Sequence, residues 1–233
     1  MARSKVLRDP FLSSTYSGIF QAQHKIIGTS CEVILEIGSA GGITKILNNK
    51  IVTSDVRPAI GVDLVIDASQ PLPFGQNSVE GLIAKDVLHH LPDPVAHFNE
   101  IGRVLKLGAT AVYAEPNWNL ISRFVFYFFH PEPWIHQTNW KFKSTDPMFA
   151  NQALPWIIFI RDRNEFESEF PNLEVSISKI PLNGLAFLIS GGVYNRTKIS
   201  SDLLIKLAAW ENNHPMWMKF FGLTRIIAIK KIT

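Results

Sequence analysis

The stretch that most constrains this chain is a run of strand-forming residues that leads directly into a glycine-rich turn. Val33 to Ile37 is apolar at every position but one, which is typical of a strand buried on both faces of a parallel sheet. Gly38, Gly41 and Gly42 then allow the backbone to turn sharply and to approach a ligand closely. A helix is predicted over Ile43 to Leu47, with its first amides facing the same place. The sequence therefore predicts a nucleotide-binding loop after a central strand.

The carboxylate beside this loop indicates which nucleotide it binds. Glu36 lies two residues before Gly38, so we expect it at the mouth of the loop, where it repels a pyrophosphate and attracts a cationic amino acid group. The dinucleotide fingerprint G-x-G-x-x-G is absent, because Ala40 and Ile43 occupy the positions of its later glycines. A tight strand-to-helix turn without a ligand is the alternative interpretation of the motif.

Two aspartates follow the next two predicted strands. These strands are predicted at 50–54 and 61–66, with Asp55 and Asp67 directly after them. Asp55 follows the glycine turn at close to the separation, roughly 20 residues, at which nucleotide-binding folds place an acid on the ribose hydroxyls. A solvated turn residue is the alternative interpretation of Asp55. Arg57-Pro58 leaves no room for a helix between the two strands, so the helix usual at this point is expected to be absent.

Two motifs carry a resemblance to a known family. Read as E-x-G-x-A-x-G, Glu36 to Gly42 resembles motif I of the class I S-adenosylmethionine-dependent methyltransferases, with alanine in place of the middle glycine. Further along, L-P-F at 72–74, a turn, a strand at 79–84 and the sequence V-L-H-H-L-P-D-P at 87–94 precede an amphipathic helix. This order resembles the type 11 small-molecule methyltransferases. The resemblance covers residues 33 to about 117.

The resemblance implies a fold and a cofactor. The fold is α/β: a doubly wound, Rossmann-like, seven-stranded and mostly parallel sheet whose last strand is antiparallel, within one domain over residues 1–233. The implied cofactor is S-adenosylmethionine, with the ribose on Asp55 and the adenine on Asp67 and Ala68. Asp86 is expected to contact the methionine portion or the acceptor, or else to cap the next helix. The residues expected to bind the cofactor are Glu36, Gly38, Ser39, Ala40, Gly42, Asp55, Asp67, Ala68 and Asp86.

The chemistry of methyl transfer limits what the protein must supply. Transfer from a sulfonium is an in-line displacement with an activated leaving group, so alignment and exclusion of water matter most. A hydroxyl acceptor benefits from a general base, and we expect that base at the carboxyl ends of strands four and five. The candidates there are Asp86, His89, His90, Glu115 and Asn117.

A narrower resemblance singles out some of these candidates. Phosphoethanolamine methyltransferases are similar to this stretch in having an aspartate at the position of Asp86 and a catalytic histidine at that of His90, with a tyrosine partner before motif I. The resemblance implies that Tyr16 fills the partner role. We expect His90, Tyr16 and Glu115 to be catalytic, and His89 to face outward. A capping or packing role is the alternative for His90.

The neighbouring histidines do not predict a metal site. His89, His90 and His97 are close in sequence, but adjacent histidines on a helix point about 100° apart. No further spacing of ligand residues supports zinc. We therefore predict that the site holds no metal.

Three segments depart from a minimal version of the fold. Residues 1–30 predict an N-terminal helix that caps the site, and insertions at about 118–160 and 182–221 are expected to form a lid. The first insertion is rich in aromatic residues. These residues either belong to the core, or line an apolar acceptor pocket, or rest on a membrane surface.

The composition limits which binding partners and which cellular compartment we expect for this protein. The net charge is only +3 and the basic residues are scattered, so no nucleic-acid partner is expected. The apolar runs are shorter than the roughly 20 residues of a spanning helix, and the first ten residues do not form a secretory signal, so a cytoplasmic protein is expected. Cys31, the one cysteine, cannot form an internal disulfide and is expected to be a packed thiol.

The sequence thus predicts a methyltransferase. It does not identify the acceptor of the methyl group. We expect S-adenosylmethionine-dependent transfer to a hydroxyl of a small or lipid-linked acceptor, such as a sugar. The alternative is a binding or scaffold protein that keeps this fold without catalysis. The acids at 36, 55 and 67 argue against that alternative, whereas Ala40 and the missing helix leave it open. The sequence indicates no oligomeric state.

Overall fold

A computed structural model describes residues 2–28, 31–142, 149–193 and 197–233 of the chain. Residues 29–30, at the end of the expected N-terminal cap, lie outside the described residues. The same is true of 143–148 and 194–196, which belong to the two expected insertions.

Seven strands form one sheet in the order β3-β2-β1-β4-β5-β7-β6. Strands β1 to β5 are parallel, and β7 runs antiparallel to both β5 and β6. This arrangement confirms the predicted doubly wound α/β fold, including the last strand beside strand five. The strands are β1 (Ile34–Ile37), β2 (Ile51–Asp55), β3 (Leu64–Val65), β4 (Val79–Lys85), β5 (Leu105–Pro116), β6 (Leu173–Ile177) and β7 (Thr224–Lys231).

The third strand is shorter than predicted, because side chains replace part of its ladder. A strand was expected over 61–66, but β3 has only two residues. The Thr53 hydroxyl donates to the Gly61 carbonyl at 2.7 Å, and the Thr53 amide donates to an Asp63 carboxylate oxygen at 3.0 Å. These contacts hold the preceding loop against β2 without strand geometry. No helix lies between β2 and β3, all of whose connecting residues are described, as the sequence predicted.

Helices cover both faces of the sheet. A 3-10 turn, Leu88–His90, follows β4, and a π-helical turn, Ile157–Arg161, continues α6. Among the described residues, none of the helices combines the length and apolar character needed to cross a membrane. The α-helices are α1 (Ala2–Arg8), α2 (Pro10–Ile27), α3 (Ile43–Leu47), α4 (Pro94–Val104), α5 (Leu120–Phe129), α6 (Leu154–Trp156), α7 (Arg163–Glu169), α8 (Leu185–Ser190), α9 (Ser201–Asn212) and α10 (Pro215–Phe221).

The N-terminal segment forms two helices rather than one. Asp9 separates them, because its carboxylate accepts hydrogen bonds from the amides of Phe11 and Leu12 and so starts α2. Further along α2, the buried amide of Gln23 donates to the Ala84 carbonyl at 2.8 Å and to the Val112 carbonyl at 3.0 Å. Because these carbonyls belong to β4 and β5, α2 is fixed across the middle of the sheet.

The first insertion divides its aromatic residues between the core and the surface. Trp134 and Trp140 are buried in the main core, which also contains a cluster of phenylalanine rings that pack edge-to-face around Phe98. By contrast, Tyr127 and Phe128 of α5 are more than half exposed. The core interpretation is therefore confirmed for Trp134 and Trp140, whereas Tyr127 and Phe128 lie outside the core.

Candidate active site

A cavity of about 1340 Å³ lies along the carboxyl ends of the central parallel strands. Strands β1 and β4 are neighbours there, and the chain leaves them in opposite directions, which opens a crevice at that edge of the sheet. Most of the predicted site residues line this cavity. They are Tyr16, Glu36, Gly38, Ser39, Ala40, Asp55, Asp67, Ala68, Asp86 and His90.

The loop after β1 has the geometry of a ligand cradle. Gly38 has a φ of +71°, and a Cβ added to it would lie 2.3 Å from Cγ2 of Val87, so only glycine fits there. Ala40 also lies in the left-handed region, with a φ of +48°. The Ser39 hydroxyl oxygen is buried and has no hydrogen-bond partner among the described residues. A loop shaped in this way, with an unsatisfied polar atom at a cavity wall, fits a polar ligand.

Gly42 does not belong to the cavity, contrary to the sequence prediction. Its φ is +66°, and an added Cβ would lie 2.0 Å from the carbonyl oxygen of Gly61. Gly42 therefore lets the start of α3 pack against the loop between β2 and β3. This close backbone contact, rather than ligand binding, explains why the position requires glycine.

Glu36 is a buried acid at the wall of the cavity. Its side chain accepts a hydrogen bond from the Thr44 hydroxyl and is 6% exposed. Burial raises the pKa of Glu36 to about 7, the Thr44 hydrogen bond opposes this shift, and Asp55 adds to it. The group can therefore change its protonation state near neutral pH when a cationic ligand arrives.

Asp55 and Asp67 stand at the same edge of the sheet as Glu36. One Asp55 oxygen accepts a hydrogen bond from the Ala40 amide at 2.9 Å, which ties the ends of β1 and β2 together. One Asp67 oxygen accepts from the amide and the hydroxyl of Ser69, at 2.9 and 2.7 Å. Both acids thus face the cavity from short, hydrogen-bonded turns.

His97 positions the loop that carries Ala68, a role that the sequence did not reveal. Its Nδ1 atom lies 3.0 Å from the Ala68 carbonyl oxygen, and its Nε2 atom lies 2.8 Å from the Tyr113 hydroxyl. Burial lowers the pKa of His97 to about 4. The ring is therefore neutral at physiological pH and donates to Ala68 while it accepts from Tyr113.

The end of β4 brings Tyr16 into the site. Lys85 forms an ion pair with Asp86, and its ammonium group lies 4.8 Å from the centre of the Tyr16 ring. Asp86 has a φ of +53°, which is uncommon outside glycine and turns the chain into the cavity. The proposed capping role of Asp86 is wrong, because Asp93 caps α4 through the Ala96 amide.

His89 faces inward, contrary to the prediction that it faces outward. Its Nδ1 atom lies 2.6 Å from a carboxylate oxygen of Glu115, and the side chain is only 2% exposed. The other Glu115 oxygen accepts from the amides of Val87 and Leu88, at 3.0 and 2.8 Å. These bonds pull the turn after β4 down towards β5 and with it the His89 ring.

Glu115 is consequently not placed to act on a substrate. Its carboxylate is fully buried behind His89 and does not line the cavity, so the predicted catalytic role becomes a positioning role. Burial alone would lower the pKa of His89, but the Glu115 carboxylate, with Glu132 and Asp86, raises it to about 10. Glu115 therefore fixes both the orientation and the charge of the ring.

Glu132 is a site residue that sequence reasoning missed. Its carboxylate oxygens lie 3.5 Å from Nε2 of His89 and 3.8 Å from Nε2 of His90, and one of them accepts from the Gln152 amide. Burial would raise the pKa of Glu132, but the neighbouring histidines lower it to about 2. The only sequence sign of this residue is the polar break His130-Pro131-Glu132-Pro133 within an otherwise apolar segment.

His90 lies at the cavity wall with one nitrogen directed towards Glu132. Its Nδ1 atom lies 3.3 Å from the Phe149 carbonyl oxygen, so the proton of the neutral ring belongs on Nδ1. Burial, together with the charge of His89, lowers the pKa of His90. Its Nε2 lone pair is thus available inside the cavity.

Both expected lid segments contribute to the cavity wall. Val125, Phe126 and the polar break around Glu132 come from the first insertion. Phe187, Leu188 and the glycines after α8 come from the second. The wall opposite the sheet is therefore mainly apolar, apart from the cluster around Glu132.

The comparison with known families agrees with this geometry. Residues 35–113, which contain the cradle, both aspartates and the histidine pair, match the family model of a methyltransferase domain. The chain therefore contains a methyltransferase domain over these residues. The cofactor that the sequence resemblance implies is S-adenosylmethionine, whose sulfonium would supply an activated methyl group. No curated protein matches the sequence.

Solved structures share the fold of the methyltransferase at low sequence identity. A SAM-dependent methyltransferase from Archaeoglobus fulgidus is 15% identical, with a TM-score of 0.52 over 98% of this chain and 92% of that one. The YcgJ protein from Bacillus subtilis is 15% identical, with a TM-score of 0.53 over 92% and 99%. Geranyl diphosphate C-methyltransferase from Streptomyces coelicolor A3(2) is 14% identical, with a TM-score of 0.51 over 94% and 82%.

Proposed function

We propose that the methyltransferase transfers the methyl group to a hydroxyl of a small or lipid-linked acceptor. The observation that carries this proposal is the convergence of His89, His90 and Glu132 in the cavity that also contains the cofactor cradle. A hydroxyl is a weak nucleophile until its proton is removed, so it requires a proton acceptor beside the methyl donor. Acceptors that are already nucleophilic would not need such a cluster.

The cofactor contacts follow from the residues around the cradle. We assign the methionine portion to Glu36, Gly38, Ser39 and Ala40, because they combine a buried acid with an unsatisfied hydroxyl at the cavity wall. Asp55 is assigned to the ribose hydroxyls. Asp67 and Ala68 are assigned to the adenine, and His97 positions them through the Ala68 carbonyl.

His90 is the residue that we assign as the proton acceptor. Its neutral ring carries the proton on Nδ1, held by the Phe149 carbonyl, so Nε2 can accept one. S-adenosylmethionine bound at the cradle would supply the methyl group to the acceptor oxygen, and His90 Nε2 would accept the proton that the hydroxyl loses. Glu132 stabilises the imidazolium that forms, since its carboxylate lies 3.8 Å away. Tyr16, held beside Lys85 and Asp86, lies at the same wall and orients the acceptor.

The surface beside the cavity supports a lipid-linked acceptor. Helix α5 lines the cavity with Val125 and Phe126 on one side and exposes apolar side chains on the other, and α10 packs beside it with the same character. Such a surface can rest on lipid while the cavity receives a headgroup. The exposed apolar residues are Leu120, Phe124, Tyr127 and Phe128 of α5 and Met216 and Phe220 of α10.

The proposed function is tested by binding and turnover measured separately. Wild-type protein should bind S-adenosylhomocysteine by calorimetry and transfer a labelled methyl group to hydroxylated acceptors, including lipid-linked sugars in vesicles. His90→Ala should lose about 10²–10⁴-fold in turnover and keep its cofactor affinity. His24→Ala, on α2 outside the cavity, is the matched control.

Three outcomes would contradict parts of this proposal. Absence of cofactor binding at millimolar concentration would remove the cofactor assignment. Unchanged turnover of His90→Ala would remove His90 as the proton acceptor. Binding of the cofactor without methylation of any hydroxylated acceptor would favour the scaffold alternative.

A further inference from the structure

We propose that His89, His90 and Glu132 form a binding site for a divalent first-row transition metal ion of the zinc type. The inference goes beyond the proposed function, because it adds an inorganic ligand to the cavity and does not depend on which acceptor is methylated. Two imidazoles and one carboxylate are a donor set that zinc and its neighbours prefer, whereas magnesium prefers oxygen ligands alone.

The three side chains already stand near the separation that a bound ion requires. Their candidate ligand atoms all lie within 4.8 Å of one another. The two distances from imidazole Nε2 to the Glu132 carboxylate are 3.5 and 3.8 Å. Ligands of a tetrahedral zinc ion with bonds of 2.0–2.1 Å are about 3.3 Å apart, so only small side-chain movements are needed.

The orientation of both rings is fixed by bonds at the far nitrogen. His89 Nδ1 is held by the buried Glu115 carboxylate at 2.6 Å, and His90 Nδ1 by the Phe149 carbonyl at 3.3 Å. In metal sites, ligating histidines almost always donate their other ring proton to a carboxylate or a carbonyl in this way. The arrangement therefore directs both Nε2 lone pairs to the point that Glu132 faces.

A neighbouring amide supplies an independent indication of a missing ligand. Gln152 is 3% exposed, and its Oε1 atom is buried without a hydrogen-bond partner among the described residues. Its Nε2 atom lies 3.5 Å from Nε2 of His89 and donates to Glu132. The amide nitrogen contacts two of the three proposed ligands, and rotation of the amide by 180° would present the unsatisfied oxygen to an ion or to a water bound to it.

Backbone contacts hold the two halves of the site together. The Asn151 amide donates to the His89 carbonyl at 2.8 Å, and the Gln152 amide donates to the Pro133 carbonyl at 3.0 Å. The histidine turn and the segment of Glu132 are thus fixed to the same short stretch of chain. This arrangement gives a preorganised site in the wall of the cavity.

A bound ion would change the roles of two residues. His89 lies between two carboxylates, with Nδ1 facing Glu115 and Nε2 facing Glu132. An ion that binds Nε2 would have to displace the proton from that nitrogen. The lone pair of His90 would coordinate the ion instead of accepting a proton. The ion would then polarise an acceptor oxygen bound in its open position.

The test measures metal binding without donor or acceptor. The purified full-length chain is stripped with a chelator and titrated with Zn²⁺ by calorimetry, and then with Co²⁺, whose visible absorption reports tetrahedral coordination. We expect one ion per chain. Glu115→Gln, which changes a positioning residue, should weaken Zn²⁺ binding about 10–100-fold. Glu132→Gln and His90→Ala, which each remove a ligand, should weaken it more. His24→Ala and Glu211→Gln, which lie outside the cluster, should bind as the wild type does.

The outcomes separate this inference from the proposed function. Absence of stoichiometric binding, or binding that Glu132→Gln and His90→Ala leave unchanged, would overturn the metal site. A far-UV circular dichroism spectrum and a urea midpoint like those of the wild type show that each variant is folded. Because no methyl transfer is measured, failure of the metal site leaves the methyl-transfer proposal standing, and the reverse also holds.

Discussion

The Nδ1 atom of His89 lies 2.6 Å from a carboxylate oxygen of Glu115, and both side chains are buried. The other oxygen of Glu115 is occupied by two backbone amides, so the carboxylate cannot turn towards the cavity. This one contact sets the direction of the His89 ring and hence the shape of the cluster with His90 and Glu132. It is also the basis of the first of five predictions.

Glu115→Gln should reduce turnover without affecting cofactor binding. The amide would donate to His89 Nδ1 instead of accepting from it, which moves the ring proton to Nε2 and disturbs the cluster. We expect a loss of about 10–100-fold in turnover, with the affinity for S-adenosylhomocysteine within about twofold of the wild type. Glu211→Gln is the matched control, because Glu211 is also buried and accepts from two amides, but caps α8 away from the cavity. Equal effects of the two substitutions would argue against a positioning role.

Glu36 should make cofactor binding depend on pH. Its pKa in the folded protein is about 7, so the carboxylate that attracts a cationic ligand is mostly protonated at pH 6. We expect the affinity for S-adenosylhomocysteine to fall about tenfold between pH 8 and pH 6, with proton release on binding near pH 7. Calorimetry in buffers of different ionisation enthalpy measures this release. Glu36→Gln should bind weakly at every pH, and a pH-dependent affinity in that variant would assign the proton to another group.

The same residue should limit the stability of the ligand-free protein at high pH. The pKa of Glu36 is higher in the folded than in the unfolded chain, so its stability contribution is present below pH 4.5 and is lost as the pH rises to about 7. The loss corresponds to about 3 kcal/mol in the free energy of unfolding. Glu36→Gln should therefore show a smaller fall in stability over this range. Urea denaturation at pH 5, 6 and 8 compares the two proteins, and parallel curves would contradict the burial of a titrating Glu36.

His97 should contribute to acid destabilisation. Its pKa is about 4 in the folded protein, below the ordinary value of 6.5, so the unfolded chain binds the proton first as the pH falls. The protein should lose about 3 kcal/mol of unfolding free energy from this residue between pH 6.5 and pH 4. His97→Gln should remove that part of the pH dependence, whereas His24→Gln should not. Chemical denaturation across this range measures the difference. An unchanged slope in His97→Gln would show that the folded protein accepts a proton at this ring.

Alanine substitutions at Gly42 and Gly108 should distinguish the stability cost of backbone strain from that of a close backbone contact. Both have a positive φ, of +66° and +79°, but an added Cβ meets the Gly61 carbonyl at 2.0 Å in the first case and nothing within 4 Å in the second. Gly108→Ala should therefore cost about 1 kcal/mol of stability, from strain alone. Gly42→Ala should cost about 3 kcal/mol because the loop between β2 and β3 must also move. Urea denaturation measures both, and equal losses would show that the Gly61 contact contributes nothing.

The sequence by itself determined the fold and most of the cofactor cradle. Strand β1, the glycine turn and the acids at or near the carboxyl ends of β1, β2 and β3 follow one another locally, and a parallel sheet necessarily brings such positions to one edge. The family resemblance implied the antiparallel last strand, and Arg57-Pro58 predicted the absence of a helix between β2 and β3. Gly42 was misassigned because a sequence motif does not show which glycine meets the ligand and which meets another loop.

Only the tertiary structure decided the arrangement of the histidine cluster. His89 was expected to face outward, but the 3-10 turn and the bond from its Nδ1 atom to the buried Glu115 direct it inward. Glu132 lies in an insertion far along the chain from the histidines, and no periodic pattern connects them. Contacts between distant segments depend on how the whole chain packs, so they are the part of this site that local sequence patterns cannot encode.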